Sequence, residues 1–170
     1  EDGVIDLKAD TIYNIDAKEV VTSDLVINGN GATITGSVSD YLFSFQGAKG
    51  TNIDVTINDV KITNTGNGLN VWYANVTLNN VSIDVKNGAG VVAGEGSVVD
   101  ATSLAAYGTW GGVNVDKGGQ FSVDSMTNIT SIYTENTPIS ADDKTPAKIY
   151  VDDYVVSIDI AQAESEAGSW

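Results

Sequence analysis

The residue types in this chain limit its chemistry before any fold is considered. There is no His and no Cys, and all eight basic residues are Lys. A nucleophile triad needs His or Cys in its usual roles and cannot be assembled. Thiolate and imidazole metal sites are excluded for the same reason. Adjacent carboxylates occur at Asp142-Asp143 and Asp152-Asp153, where they read as turn-forming acids. The chemically versatile side chains left are Lys and the carboxylates. Asp116 precedes Lys117, and Glu95 lies 22 residues before Lys117. If the chain returns on itself with that period, the three share a face. Asp116 and Glu95 are then candidate calcium ligands, against the alternative of a solvated ion pair that contributes little. No other cofactor is called for.

Binding chemistry is more open. Trp72, Tyr73, Tyr107, Trp110 and Tyr133 stand near turns, and AAYGTWGG reads as an exposed loop. Aromatic faces stack on sugar rings while carboxylates and amides bond hydroxyls. The same side chains also close the mouths of cores and line subunit interfaces. Core or cap, interface, and glycan contact all stand as readings of the five. GAGVVAGEG and GGVNVDKGG lack the following helix and the Lys-Ser/Thr of a phosphate loop, so they read as turns. Asn75, Asn80 and Asn128 each begin an N-glycosylation sequon, a match that also arises by chance in a Thr- and Asn-rich chain.

The elements that carry these residues announce themselves by repetition. VTINDVKIT from Val55 recurs as VTLNNVSID from Val76, an offset of 21. Gly68-Leu69-Asn70-Val71, Gly90-Val91-Val92-Ala93 and Gly112-Val113-Asn114-Val115 recur at 22, with Phe43-Ser44-Phe45 as an earlier member. Such a period, with several short strands in each unit, specifies a solenoid. Apolar and polar residues alternate within each run, which makes half-buried strands. The phase changes at Asn58-Asp59, which places a bend there. Asn28, Asn58, Asn79, Asp100 and Asp124 each follow a large aliphatic residue. We expect them to form a column, with Asn amides bonding from coil to coil.

Composition agrees. The chain has 170 residues, 18 Gly and 2 Pro, and is 42% hydrophobic, which suits one all-β domain. Its net charge of −15 opposes binding to nucleic acid or to an anionic membrane surface. No run is long and apolar enough for a membrane helix. Absence of Cys means no disulfides. A start at Glu1-Asp2 without Met fits a mature chain after signal-peptide removal, or a fragment. An acidic secreted protein is the expectation.

The solenoid is expected over 1–133, from short strands at Gly3–Leu7 and Thr11–Ile15 and a helical turn over Ala17–Val21. A connector holding both prolines spans 134–147. Residues 148–170 follow as a strand pair and an acidic tail in the same domain. Solenoid ends expose unpaired backbone. Tyr154, Val156, Ile158 and Ile160 therefore belong either to an intramolecular cap or to a strand exchanged with a neighbouring subunit. Head-to-tail exchange propagates into a filament.

LVINGNGATITG, VTINDVKITNTGNG and VTLNNVSID resemble the right-handed parallel β-helix of pectate-lyase-like proteins, over roughly residues 5–133. The offsets between repeats give coils of about 21–24 residues, and the resemblance implies an outside-the-cell setting. Members include polysaccharide lyases and hydrolases, tailspikes, adhesins and surface-layer or filament proteins, so fold does not select among them. The Arg and His motifs of the enzymes are missing here. The expectation is a non-enzymatic extracellular or cell-surface protein, adhesive or filament-forming, whose partner is another copy of itself or a surface glycan. The alternative is a carbohydrate-active or glycan-binding β-helix, a degenerate polysaccharide lyase.

Overall fold

The computed structural model describes residues 3–116, 118–125, 127–133, 147–151 and 154–158; at 133, 147, 148, 151 and 154–158 it describes the backbone alone. The described chain is all β. In order, its strands are β1 (Gly3–Asp6), β2 (Ile12–Ile15), β3 (Glu19–Val21), β4 (Leu25–Gly36), β5 (Tyr41–Gln46), β6 (Ile53–Asn64), β7 (Asn67–Trp72) and β8 (Ala74–Val85). They continue as β9 (Ala89–Ala93), β10 (Val98–Thr102), β11 (Ala105–Tyr107), β12 (Gly111–Val115), β13 (Gln120–Val123), β14 (Ile132–Tyr133), β15 (Ala147–Val151) and β16 (Tyr154–Ile158). Among the described residues no helix is long and apolar enough to cross a membrane.

The strands wind into a parallel β-solenoid of about five turns. One sheet runs β1-β4-β6-β8-β10-β13-β15-β16, with β2 beside β4 and β11 beside β8. The other runs β14-β12-β9-β7-β5-β3. Each long strand bends once at a residue with left-handed backbone: Asn30 (φ 51°), Asp59 (φ 49°) and Asn80 (φ 52°). Asn and Asp adopt that conformation at little cost. Asp10 and Ser103 do the same where the rung is split into β1 and β2 or β10 and β11. A rung therefore has two sides in the first sheet and a third in the second.

Period-two alternation sends every second side chain into the space between these sides. Parallel in-register pairing then lines up like residues. Leu25, Val55, Val76, Val99, Phe121 and Ile149 follow one another from rung to rung. Ile27, Ile57, Leu78, Ala101 and Val123 form the next column. Across the interior stand Phe43, Leu69, Val91 and Val113, in the register expected from the glycine-led repeats. Ile57, Leu69, Leu78 and Ile83 are fully buried.

The helical turn expected over Ala17–Val21 does not form. Glu19–Val21 is β3, paired with β5, and the β-branched pair Val20-Val21 favours a strand. At the other end β15 adds a parallel rung to β13, so the sheet extends past residue 133. β16 then folds back antiparallel on β15. The connector up to residue 146, the acid pairs Asp142-Asp143 and Asp152-Asp153, Ile160 and the tail lie outside the described residues.

Candidate functional site

Two surface features emerge where polar residues line up: the column at the bend, and the outward face of the six-stranded sheet. In the column, Asn28, Asn58 and Asn79 are direct neighbours. Asn79 Nδ2 donates to Asn58 Oδ1 at 2.9 Å, Asn58 Nδ2 to Asn28 Oδ1 at 3.0 Å, and Asn28 Nδ2 to Asp6 Oδ1 at 2.7 Å. All the amides point the same way, and the chain of bonds ends on a carboxylate. Asp6 escaped the sequence reading because it lies 22 residues before Asn28, outside the repeated phrase.

Asp100 is not in this column, contrary to expectation. It pairs with Thr77 and accepts from Ser122 Oγ at 2.7 Å, while Thr102 lies beside Asn79. The register differs by two residues from the one that similarity suggests. A slip of two preserves which face each side chain occupies, so alternation cannot detect it. Asp124 follows Val123, the partner of Ala101, and so falls beside Thr102; its carboxylate accepts the Ser103 N–H at 3.1 and 3.2 Å instead of an amide.

On the second sheet, the middle residues of successive strands are Ser44, Asn70, Val92 and Asn114, on the side away from the Phe43-Leu69-Val91 column; Asn70 is half-buried and the other three are buried. Asn70 Nδ2 donates to Ser44 Oγ at 3.1 Å and receives Trp72 Nε1–H at Oδ1, 2.8 Å away. Trp72 lies over Gly94, where a Cβ would come 2.7 Å from the indole Cε2. Tyr41, Asn70, Trp72, Trp110, Asn114 and Asp116 border a groove of about 340 Å³ on this face. Asn114 is buried, and its Oδ1 meets no donor among the described residues. The signal that could have revealed Asn70 and Asn114 is a polar residue between two aliphatics, two turns apart.

The five aromatics do not act together. Trp72 and Trp110 border the groove. Tyr73 has left-handed backbone (φ 47°) and packs on Gly96. Tyr107 belongs to β11, so AAYGTWGG is part rung and part turn, and its ring is exposed elsewhere. The backbone of Tyr133 pairs with Asn114. Of the sequon residues, Asn75 is engaged between Asn52 and Asp54, Asn80 donates to Asp59 Oδ1 at 2.8 Å, and Asn128 is exposed.

Asp116 is buried beside Gly94 with its N–H on Ala93 O, Glu95 is half-buried at the preceding turn, and Lys117 lies outside the described residues. Among the described residues no group of three or more His, Cys, Asp or Glu is placed to hold a metal. The Lys18 ammonium at 2.9 Å, then the Tyr41 backbone N–H, hold the Asp40 carboxyl below the usual carboxylate value.

Fold and site together define a parallel β-solenoid with polar columns on its outer faces. No family model matches the chain, and neither a curated protein nor a solved structure matches it.

Proposed function

We propose that this solenoid is a non-enzymatic structural or adhesive subunit of an extracellular surface, which joins further copies through the ends of its coil. Membership of the pectate-lyase-like superfamily belongs to the same proposal. The observation that carries it is the first coil. Val4, Ile5, Ile12 and Val20 are 59%, 46%, 66% and 53% exposed, four of the six large hydrophobics exposed among the described residues. Ile5 occupies the inward register of Ile27, so the apolar interior opens to water at this end. Val4, Ile12 and Val20 face outward, where the next coil has Val26, Thr33 and Ser44. β1 and β3 are also terminal strands of their sheets, with backbone groups available for pairing.

The opposite end offers β16 and β14 as terminal strands. Tyr154–Ile158 has one edge on its own β15, which serves as an intramolecular cap and leaves the outer edge for a neighbour. Head-to-tail addition sets that edge against β1 of the next copy and repeats without closure. Sedimentation velocity over a range of concentrations tests this. The wild type should form a growing series of oligomers, and Ile12→Lys with Val20→Lys should sediment as a monomer with an unchanged melting temperature. A wild type that stays monomeric at high concentration overturns the reading.

A further inference from the structure

The groove on the six-stranded sheet stands apart from the coil ends, and we infer that it binds a free aliphatic amine in its ammonium form. An unmet hydrogen bond in the groove asks for a donor. Asn114 lines the groove, is only 4% exposed, and its Oδ1 meets no donor among the described residues. The neighbouring amides are already engaged. Asn70 donates to Ser44 Oγ and accepts from Trp72 Nε1, and Asn67 Oδ1 accepts the Ala89 N–H. A ligand N–H placed on Asn114 Oδ1 removes the cost of a buried acceptor left without a partner.

Charge decides which donor fits. Among the described residues lining the groove there is no Lys, and Asp116, two residues beyond Asn114, supplies an acidic side chain. The chain as a whole carries −15, so its field gathers cations and repels anions. An ammonium is a charged donor, whose hydrogen bonds are roughly twice as strong as neutral ones.

The walls favour the same ligand. Tyr41, Trp72 and Trp110 border the groove, and Trp110 is 64% exposed. Aromatic faces attract cations, Trp most strongly. Tyr41 already does so: the Lys18 ammonium lies 5.8 Å from its ring centroid, neutralised by Asp40 at 2.9 Å. Trp72 is fixed in advance by its bond to Asn70, so little freedom is lost on binding.

The floor beside Asn114 is apolar. Val92 separates Asn114 from Asn70 in the register of the sheet, and an alkyl chain can lie over it while the ammonium reaches Asn114. Two rungs cover about 10 Å, the reach of an alkylammonium of about six carbons. The groove volume of about 340 Å³ falls among small-molecule sites, which begin at about 300 Å³, and so favours a free amine over a protein segment.

The test uses the full chain with hexylammonium as the probe. Hexanol is the neutral comparison, hexanoate the anionic one, and tetramethylammonium a cation without N–H. NMR shifts of the Asn114 side-chain amide and of the Trp72 and Trp110 indole N–H groups read binding at the groove. Hexylammonium should shift all three saturably in the millimolar range, and hexanol and hexanoate should not. Tetramethylammonium should bind at least about tenfold more weakly, because it has no N–H for Asn114. Asp116→Asn and Trp110→Ala should each weaken binding at least about fivefold, the latter read from the two remaining groups. Asp84→Asn, at an exposed acidic position outside the groove, should leave binding unchanged. The coil-end variants Ile12→Lys and Val20→Lys should also bind normally, which separates this site from the assembly surface. Shifts that never saturate or that spread over the acidic surface, equal binding of hexanol, or full binding by a folded Asp116→Asn or Trp110→Ala protein would overturn the assignment. Tighter binding of Nα-acetyl-lysine methylamide than of hexylammonium would overturn the free amine as the occupant.

Discussion

Asn79 and Asn58 are joined across one rung by a single amide hydrogen bond of 2.9 Å, and Asn58 passes the same bond on to Asn28 at 3.0 Å. Asn58 therefore acts as acceptor on one side and donor on the other. Asn58→Ala removes both bonds and strands a partner on each side. For half-buried amides the expected loss is about 1–3 kcal/mol of unfolding free energy. Thr77→Ala, at a half-buried outward position in β8, should stay within about 0.5 kcal/mol. Asn79→Ala should fall between them. Urea unfolding of the three variants measures the order, and equal midpoints would remove the column from the account.

Gly68, Gly90 and Gly112 let successive rungs of the second sheet approach closely. A Cβ at Gly68 would lie 2.2 Å from the carbonyl oxygen of Gly90, and one at Gly90 would lie 2.6 Å from that of Gly112. The obstacle is backbone, which cannot swing aside as a side chain does. Gly68→Ala should cost about 3 kcal/mol. The same substitution at Gly31, where no atom lies within 4 Å of a Cβ, meets no such contact; its cost comes from φ +83° alone and should be about 1 kcal/mol. Thermal denaturation separates the two mechanisms.

The core was legible in the sequence because its signals are local and repeated. Val55 over Val76 and Leu69 over Val91 follow from equal spacing alone, and both pairs are neighbours in the sheets. The bend at Asp59 was legible from the phase change. Asp100 was not, because the offset lengthens from 21 between β6 and β8 to 23 between β8 and β10 and alternation tolerates a shift of two. The groove was legible only in part. Trp72 and Trp110 stood out as aromatics near turns, but Tyr41 and Asn114 become their neighbours only through the stacking of distant rungs. No periodic pattern announces a face defined by four turns at once.

Glu19 bears on the proposed end-to-end contact. It pairs with Phe43 in register, at the head of the column that Phe43, Leu69 and Val91 fill inside. A carboxylate at an inward position of an uncovered strand discourages uncontrolled edge pairing. Glu19→Val should extend the apolar column and tighten end-to-end association about tenfold or more, equivalent to roughly 1.4 kcal/mol. Light scattering at fixed concentration reads it, and unchanged scattering would free Glu19 of this role.

Lys18 and Asp40 link the first two coils at 2.9 Å, with the ammonium also 5.8 Å from the Tyr41 ring centroid. The lowered value of Asp40 means that the folded state favours its ionised form. Its contribution is fully present above the unfolded value of 3.8 and is lost as pH falls through the lower folded value. Because the pair is 31% and 54% exposed, screening keeps that contribution below about 1 kcal/mol. Asp40→Asn should therefore lower stability slightly at pH 7, and the difference from the wild type should vanish at the acid end of a pH series.

The proposed assembly turns on which surface of the solenoid meets its neighbour. Amide hydrogen exchange, followed as protein concentration is raised, tests this most directly. The expected result is protection that grows with concentration in β1, β2 and β3, around Ile5, Ile12 and Val20, while β6 and β8 in the middle stay equally protected throughout. Exchange in β1–β3 that is the same at every concentration would contradict it.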